Sequence, residues 1–275
     1  LKFARFAIKK RFFYFLVFII VFLVLTAVFA PMIAPYDPLQ IDLDHIKEAP
    51  GRNHLLGTDT VGRDVFSRII YGTRISLLVG ISATLLSLGL GLIVGLVAGY
   101  YGGKTDMVLT MITDLFLAFP SLLLAIGVSV LFPPGLFSVT AALCVVGWAS
   151  FARLFRGMVF SIKENTFVDS ARAIGCSNMR IMFFHILPHC LPISLVAASL
   201  KVGNFILSES ALSFLGLGVQ PPIPTWGAMI SLNRCYLPSA PWMVLFPGLA
   251  IALAVIVFNA LGDASRDMMG QDIKI

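Results

Sequence analysis

The chain has 275 residues, 58% of them hydrophobic and only 12% charged, with a mean hydropathy of +0.93. A soluble domain of this length fills its core well below that apolar share, so the composition excludes a water-soluble globular fold and predicts an all-α polytopic membrane protein. The net charge of +6 is split among short segments with no stacking aromatics between the basic residues, which excludes a nucleic-acid-binding face.

Apolar runs near the ~20 residues that a hydrocarbon layer of ~30 Å demands predict six transmembrane helices, at 12–31, 75–101, 107–132, 137–155, 188–207 and 242–261. Residues 1–11 form a basic tail. The first run has small residues after Phe29 and Ile33, as a cleaved signal peptide would, but it exceeds the usual ~7–15 apolar residues, so an uncleaved anchor is expected. Residues 35–74 form a long outer loop. Its last part, Val61 to Tyr71, places Val65, Phe66, Ile69 and Ile70 on one face and Arg63, Ser67 and Arg68 on another. That pattern predicts either a helix in the headgroup layer or a short amphipathic helix packed on its own bundle. The second span carries Gly91, Gly95 and Gly99 at the spacing that lets another helix backbone approach. Asp114 and Pro120 lie in the third span, Arg153 and Arg156 end the fourth, and the fifth begins at Pro188. Residues 208–241 are too apolar for a free loop and predict a short helix buried against the bundle. The organisation is thus 1–74 (tail, first span, outer loop) and 75–275, a five-span core with a polar loop at 163–188.

With the N-terminus in the cytoplasm, Lys2, Arg5, Lys9, Lys10, Arg11, Lys104, Arg153, Arg156, Lys163, Arg172, Arg180, Arg266 and Lys274 fall inside. Lys47, Arg52, Arg63, Arg68, Arg74 and Arg234 fall outside, and Lys201 lies within a span. The inside excess predicts cytoplasmic termini and a multi-pass location in the cytoplasmic membrane.

The polar loop between the fourth and fifth spans reads D-S-A-R-A-I-G-C-S-N-M-R from Asp169 to Arg180. Thr166 is a candidate cap for a helix whose first turn holds Asp169, favourable at the positive end of a helix dipole. Ser170, Ala171 and Ala173 keep that helix slim. Gly175 suits the left-handed residue that ends it. Ser177 or Asn178 caps a second helix running to Leu187-Pro188, and Arg172 and Arg180 stand at the rim. A helix, a glycine turn and a second helix outside the bilayer predict a docking element for another protein.

No energy source is found in the chain. Gly102-Gly103-Lys104-Thr105 hints at a phosphate-binding loop, but Ala98 stands where the first glycine is needed. His185 and His189 have metal-ligand spacing, yet Pro188 lies between them and no third ligand is near. Cys144, Cys176, Cys190 and Cys235 are too scattered for a disulfide framework. In the fifth span Ser194, Lys201, Asn204 and Ser208 share one helix face, and a lysine at that depth is costly unless it meets water or charge. The stripe is a candidate translocation pathway; the alternatives are that Lys201 snorkels outward or pairs with Glu209.

The loop pattern of Asp169-Ser170-Ala171, Gly175 and Leu187-Pro188 resembles the EAA loop of ABC importer permeases. H-L-L-G-T-D-T-V-G-R-D-V-F-S-R-I-I-Y-G-T-R-I-S-L (54–77), S-F-L-G-L-G-V-Q-P-P (213–222), F-P-G-L-A-I (246–251) and F-N-A-L-G-D-A-S-R-D (258–267) are similar to the second permease subunit of dipeptide, oligopeptide and nickel importers. The resemblance spans nearly the whole chain. It implies a type I ABC importer permease, with Asp169, Ser170, Ala171, Arg172, Gly175, Leu187 and Pro188 forming the coupling element. Asp169 stands where the family has Glu and Ser170 where it has Ala; both keep charge or small size. The resemblance further implies a second homologous permease, two ATP-binding subunits that carry the ATP and Mg, an extracytoplasmic substrate-binding protein, and no cofactor or catalysis in this chain. Short peptides are the expected cargo, with nickel or a metal chelate as the alternative. A secondary transporter, a more distant alternative, would show more intramembrane acids and a repeat symmetry.

Overall fold

The computed structural model describes the backbone of residues 2–272 and the side chains of 10–268; the side chains of Lys2, Arg5 and Lys9, and all of Lys274, lie outside the described residues. The elements in order are α1 (Lys2–Val28), α2 (Ala30–Ile33), α3 (Val65–Tyr101), α4 (Gly103–Ala118), α5 (Ser121–Ser129), α6 (Leu136–Ile162), α7 (Thr166–Ala173), α8 (Asn178–Arg180), a π-helical turn (Ile181–Ile186), α9 (Leu187–Phe214), α10 (Trp226–Asn233) and α11 (Trp242–Asp272). Five helical stretches are long and apolar enough to cross a membrane, and α4 with α5 makes a sixth if that pair counts as one span.

The bundle centres on α3 and α6. Gly91, Gly95 and Gly99 lie on the seam between them: a Cβ at Gly95 would stand 2.5 Å from the Ala152 carbonyl oxygen, and one at Gly99 2.8 Å from Val159 Cβ. Side chains there would push the helices apart, so the four-residue glycine spacing serves internal packing. Helix α9 packs on α3 and α11, and α1 lies outside α3 and α11. As expected, the segment after α9 holds a short buried helix: α10 inserts Trp226, whose indole N–H donates to the Ile69 carbonyl at 3.1 Å.

Three expectations are corrected. Residues 61–71 form no separate helix in the headgroup layer; from Val65 they are the first turns of α3, so the division at 74/75 falls inside one helix. Their polar face is buried. The outer loop folds over it, and Arg68 donates to the Pro38 carbonyl at 2.8 Å while its Nε stands 3.7 Å from Asp59. The third span is not one helix. Pro120 lacks an N–H and forces Phe119 into the extended region (φ −82°, ψ 140°), so α4 and α5 meet at 90°. The fifth span does not begin at Pro188 either. Helix runs on from Asn178 to Phe214, and the wider π turn just before Pro188 accommodates the ring that would otherwise strike the preceding turn.

Candidate functional site

The elbow is built around α7. Asn165, not Thr166, occupies its capping position, and no side chain caps it: the Asn165 amide turns back to donate to the Ile162 carbonyl at 3.0 Å. The C-terminal end is well specified. Gly175 adopts φ +82°, its N–H donates to the Arg172 carbonyl (2.9 Å), and the Cys176 N–H donates to the Ala171 carbonyl (3.0 Å). These two bonds make a Schellman motif, which satisfies the last carbonyls and turns the chain sharply. Ser177 then caps α8 by accepting from the Arg180 N–H.

A hydrophobic plug seats this elbow. Val168 and Ala171, the inward residues of α7, pack with Ile181, Met182 and Ile186 of the π turn against Leu96 and Tyr100 of α3 and Phe151, Phe155 and Val159 of α6. Tyr100 also donates its hydroxyl to Asn178 Oδ1 at 2.9 Å. The elbow is therefore packed directly on the ends of α3 and α6.

The outward surface is mixed. Asp169 pairs with Arg172 at 3.1 Å, both largely solvent-exposed. Ser170 is exposed and turns its hydroxyl to the Thr166 carbonyl. Ile174 is 80% exposed, and Met179, Phe183 and Phe184 are open beside Arg180. Leu187 is half-buried and Pro188 exposed, both inside the continuous helix rather than at a loop exit. His185 Nδ1 donates to the Arg180 carbonyl at 3.4 Å and the His189 ring lies near Phe167 (5.1 Å between centroids). Among the described residues no group of three or more His, Cys, Asp and Glu could hold a metal ion.

Sequence reading missed a second feature. Helix α4 is fastened to α6 by two ion pairs: Arg156 grips Asp106 through both Nε and Nη2, and Arg153 Nη2 lies 2.6 Å from Asp114. Thr110 also donates to Asp106 at 3.1 Å. These groups flank a cavity of about 290 Å³ between α3, α4 and α6. Asp106, Thr110 and Asp114 recur every four residues, a signal visible in the sequence once α4 is known to start at Gly103.

On α9, Lys201 donates to Ser150 Oγ of α6 at 3.2 Å, Asn204 is exposed, and Ser208 is half-buried with its hydroxyl on the Asn204 carbonyl. Ser194 is buried and bonded to the Leu191 carbonyl. Lys201 does not pair with Glu209. That carboxylate, 0% exposed, instead accepts from Ser213 (2.7 Å), Ser76 (3.1 Å) and Ser210 (3.4 Å), which ties α9 to α3.

A bundle of long apolar helices, carrying an elbow on a plug shared by two of them, has the build of a membrane permease. The chain belongs to the family of binding-protein-dependent transport system inner membrane components, whose model matches residues 91–275; the N-terminal transmembrane domain of oligopeptide transport permease C matches 3–50. It is therefore a multi-pass permease subunit of an ABC importer, and the secondary-transporter alternative falls away. Among its relatives are the dipeptide transport system permease protein DppC of Alkalihalophilus pseudofirmus, 44% identical over 93% of this chain and 84% of that one, and the glutathione transport system permease protein GsiD of Pectobacterium atrosepticum, 42% identical over 93% and 85%. The fold is that of the MetNI methionine ABC transporter in an inward-facing form, with a TM-score of 0.60 at 18% identity over 74% of this chain and 96% of that one.

Proposed function

We propose that this chain moves short peptides across the cytoplasmic membrane as one of two homologous permeases, driven by two ATP-binding subunits and fed by an extracytoplasmic binding protein. The cargo reading rests on the relatives, which are named for dipeptide and glutathione transport and align over 93% of the chain; no observation favours nickel. The drive reading rests on one observation, the elbow seated on its plug.

ATP binding closes the two ATPase subunits, and a cleft on one of them carries α7 with it. Asp169, Ser170, Arg172 and Gly175 face that cleft, whereas Ala171 sits beneath them in the plug. Because the plug joins α7 to the ends of α3 and α6, these helices follow. The Asp106–Arg156 and Asp114–Arg153 pairs pass the displacement on to α4. Leu187 and Pro188 act at the base of α9, where the π turn gives the helix its local freedom. The bundle then opens outward, takes cargo onto the face bearing Lys201, Asn204 and Ser208, with Ser194 supporting from within, and returns on hydrolysis. The termini, the elbow and Arg172 and Arg180 are cytoplasmic in this scheme.

Co-expression with the neighbouring transporter subunits, reconstitution into vesicles and ATP-dependent uptake of a labelled dipeptide and of nickel tests the reading. Dipeptide accumulation without nickel accumulation is expected. Nickel uptake alone, or purification without any ATPase subunit, would overturn it.

A further inference from the structure

Lys201 is a cation at membrane depth on α9. It lies about 20 Å along the axis of α9 from Pro188 at ~1.5 Å per residue. Its ammonium meets the Ser150 hydroxyl at 3.2 Å and stands 5.3 Å from the centre of the Phe205 ring. Among the described residues no carboxylate lies within ion-pair distance of it, whereas Arg153 and Arg156, nearer the elbow end of α6, each hold an aspartate. An ammonium with one neutral hydroxyl partner persists at this depth only where water or an anion reaches it.

The surface around Lys201 shows that it is not turned to lipid. At about 100° per residue, Ser194, Ala197, Ala198, Asn204, Phe205 and Ser208 stand within ~60° of it, and all but the buried Phe205 are small or polar. The bulky, open side chains Leu195 (67% exposed) and Leu207 (53%) stand roughly 120° away on either side, where lipid contact is expected. On α6, Ser150 and Arg153 are three residues apart and so share the face that Lys201 touches. Arg153 and Asp114 cancel, which leaves this face with one uncompensated positive charge, on Lys201.

We infer that Lys201 is a charge filter within the pathway, favouring acidic peptides over neutral ones and neutral over basic ones. The inference rests on the peptide-import reading above and names the class of peptide. A binding protein sets which peptides arrive, but a fixed cation in a narrow, partly desolvated path biases which of them cross. At about 10 Å and an effective dielectric constant of about 20, one unit charge changes the crossing rate of another by roughly tenfold.

The test uses the reconstituted complex with its ATPases and saturating loaded binding protein. Uptake of alanyl-glutamate, alanyl-alanine and alanyl-lysine is measured for the wild type, Lys201→Arg, Lys201→Met and Lys201→Glu. Each variant is scored by its acidic-to-basic uptake ratio relative to the wild type, so that binding-protein preference and the amount of folded complex both cancel. Lys201→Arg should keep the ratio, Lys201→Met should lower it about a hundredfold, roughly tenfold from each of the two peptides, and Lys201→Glu should lower it further by a similar factor. If Lys201→Met alters the three peptides equally, or not at all, Lys201 answers to an acid on the partner permease or to packing, and the filter is refuted. If the wild-type complex hydrolyses ATP but imports none of the three, the peptide reading itself fails, and the filter with it.

Discussion

The outer and inner ends of the bundle treat their polar groups in opposite ways. At the outer end polar side chains are turned inward and bonded to one another. Asp59 holds Arg63 at 2.7 Å, Asp64 caps α3 through the Ser67 N–H at 2.7 Å while His54 stands 2.9 Å from its other oxygen, and Trp242 donates to the Thr58 carbonyl. Glu209 and its serines extend the same self-sufficiency down into the span. At the inner end the greasy residues of the elbow are buried in the plug, while Asp169, Arg172, Arg180, Ile174 and Phe184 are left outside. Most buried polar groups at the outer end find partners within the molecule, whereas at the inner end Ile174 and Phe184 stay open beside charged groups. The outer end is framework, and the inner end keeps an open, mixed surface.

That contrast breaks if substitutions at the two ends have the same consequence. The largest effect is expected at Glu209→Ala, which leaves the Ser76 and Ser213 hydroxyls short of an acceptor, while Ser210 keeps the Ile206 carbonyl, and opens a cavity in the bundle. A loss of about 3 kcal/mol is expected, read as a drop in Tm of the purified complex and in its yield. Unchanged Tm would show that the outer end is not a framework. Next is Gly175→Val at the inner end. A β-branched residue at φ +82° costs roughly 1–2 kcal/mol locally, and uptake should fall about tenfold with ATP hydrolysis continuing and Tm of the complex nearly unmoved. Gly175→Asn, which tolerates that φ, sharpens the point: recovery of uptake assigns the glycine to the turn, and continued loss assigns it to the fit of the cleft.

A smaller effect is expected between the two ends. Arg156→Gln should free α4 from α6 and reduce uptake several-fold, for a local loss of about 1 kcal/mol in this partly exposed pair. The exchange Asp106→Arg with Arg156→Asp should restore part of it; no recovery would mean that the pair does not carry motion to α4. The smallest effect lies in the exposed outer loop. The hydrogen bond to His45 holds the Asp42 carboxyl below its ordinary value, and the Asp42 carboxylate raises His45 above 6.5. His45 is thus bound more tightly to its proton in the folded loop, so its contribution is complete below pH 6.5 and fades as pH rises through the raised value. Asp42 contributes in the ordinary carboxylate range and above, and its share is lost as pH falls through its lowered value. Stability of His45→Gln should therefore trail the wild type slightly at pH 5–6 and match it in alkaline buffer, as thermal melts across pH would reveal.

Much of this architecture was legible from residues. Apolar length gave the spans, the Gly91-Gly95-Gly99 spacing gave the α3–α6 seam, and Gly175 announced the end of α7. What escaped reading depended on tertiary partners. Ser67 and Arg68 look like a wet face until the outer loop closes over them, because periodicity reports polarity and not what satisfies it. Asn165 took the position before α7 that Thr166 was expected to hold, and with no side chain capping the helix its start is not fixed by residue type to better than a residue or two. The break at Pro120 was signalled by a single proline within an apolar run that hydropathy alone reads as continuous. Asp106 and Arg156 lie fifty residues apart, and Glu209 and Ser76 still farther; only the fold brings them together.

Helix α3 has one further consequence. Its 37 unbroken residues span about 55 Å, well beyond the ~30 Å of hydrocarbon, and it reaches from the folded outer loop to Tyr100 under the elbow. It is a stiff mast fixed at both ends. A lean of about 5° at its foot swings its tip by about 5 Å over that length. A shift of the outer loop and a shift of the elbow thus act on opposite ends of one rod, and each is felt at the other without passing through the side chains between them.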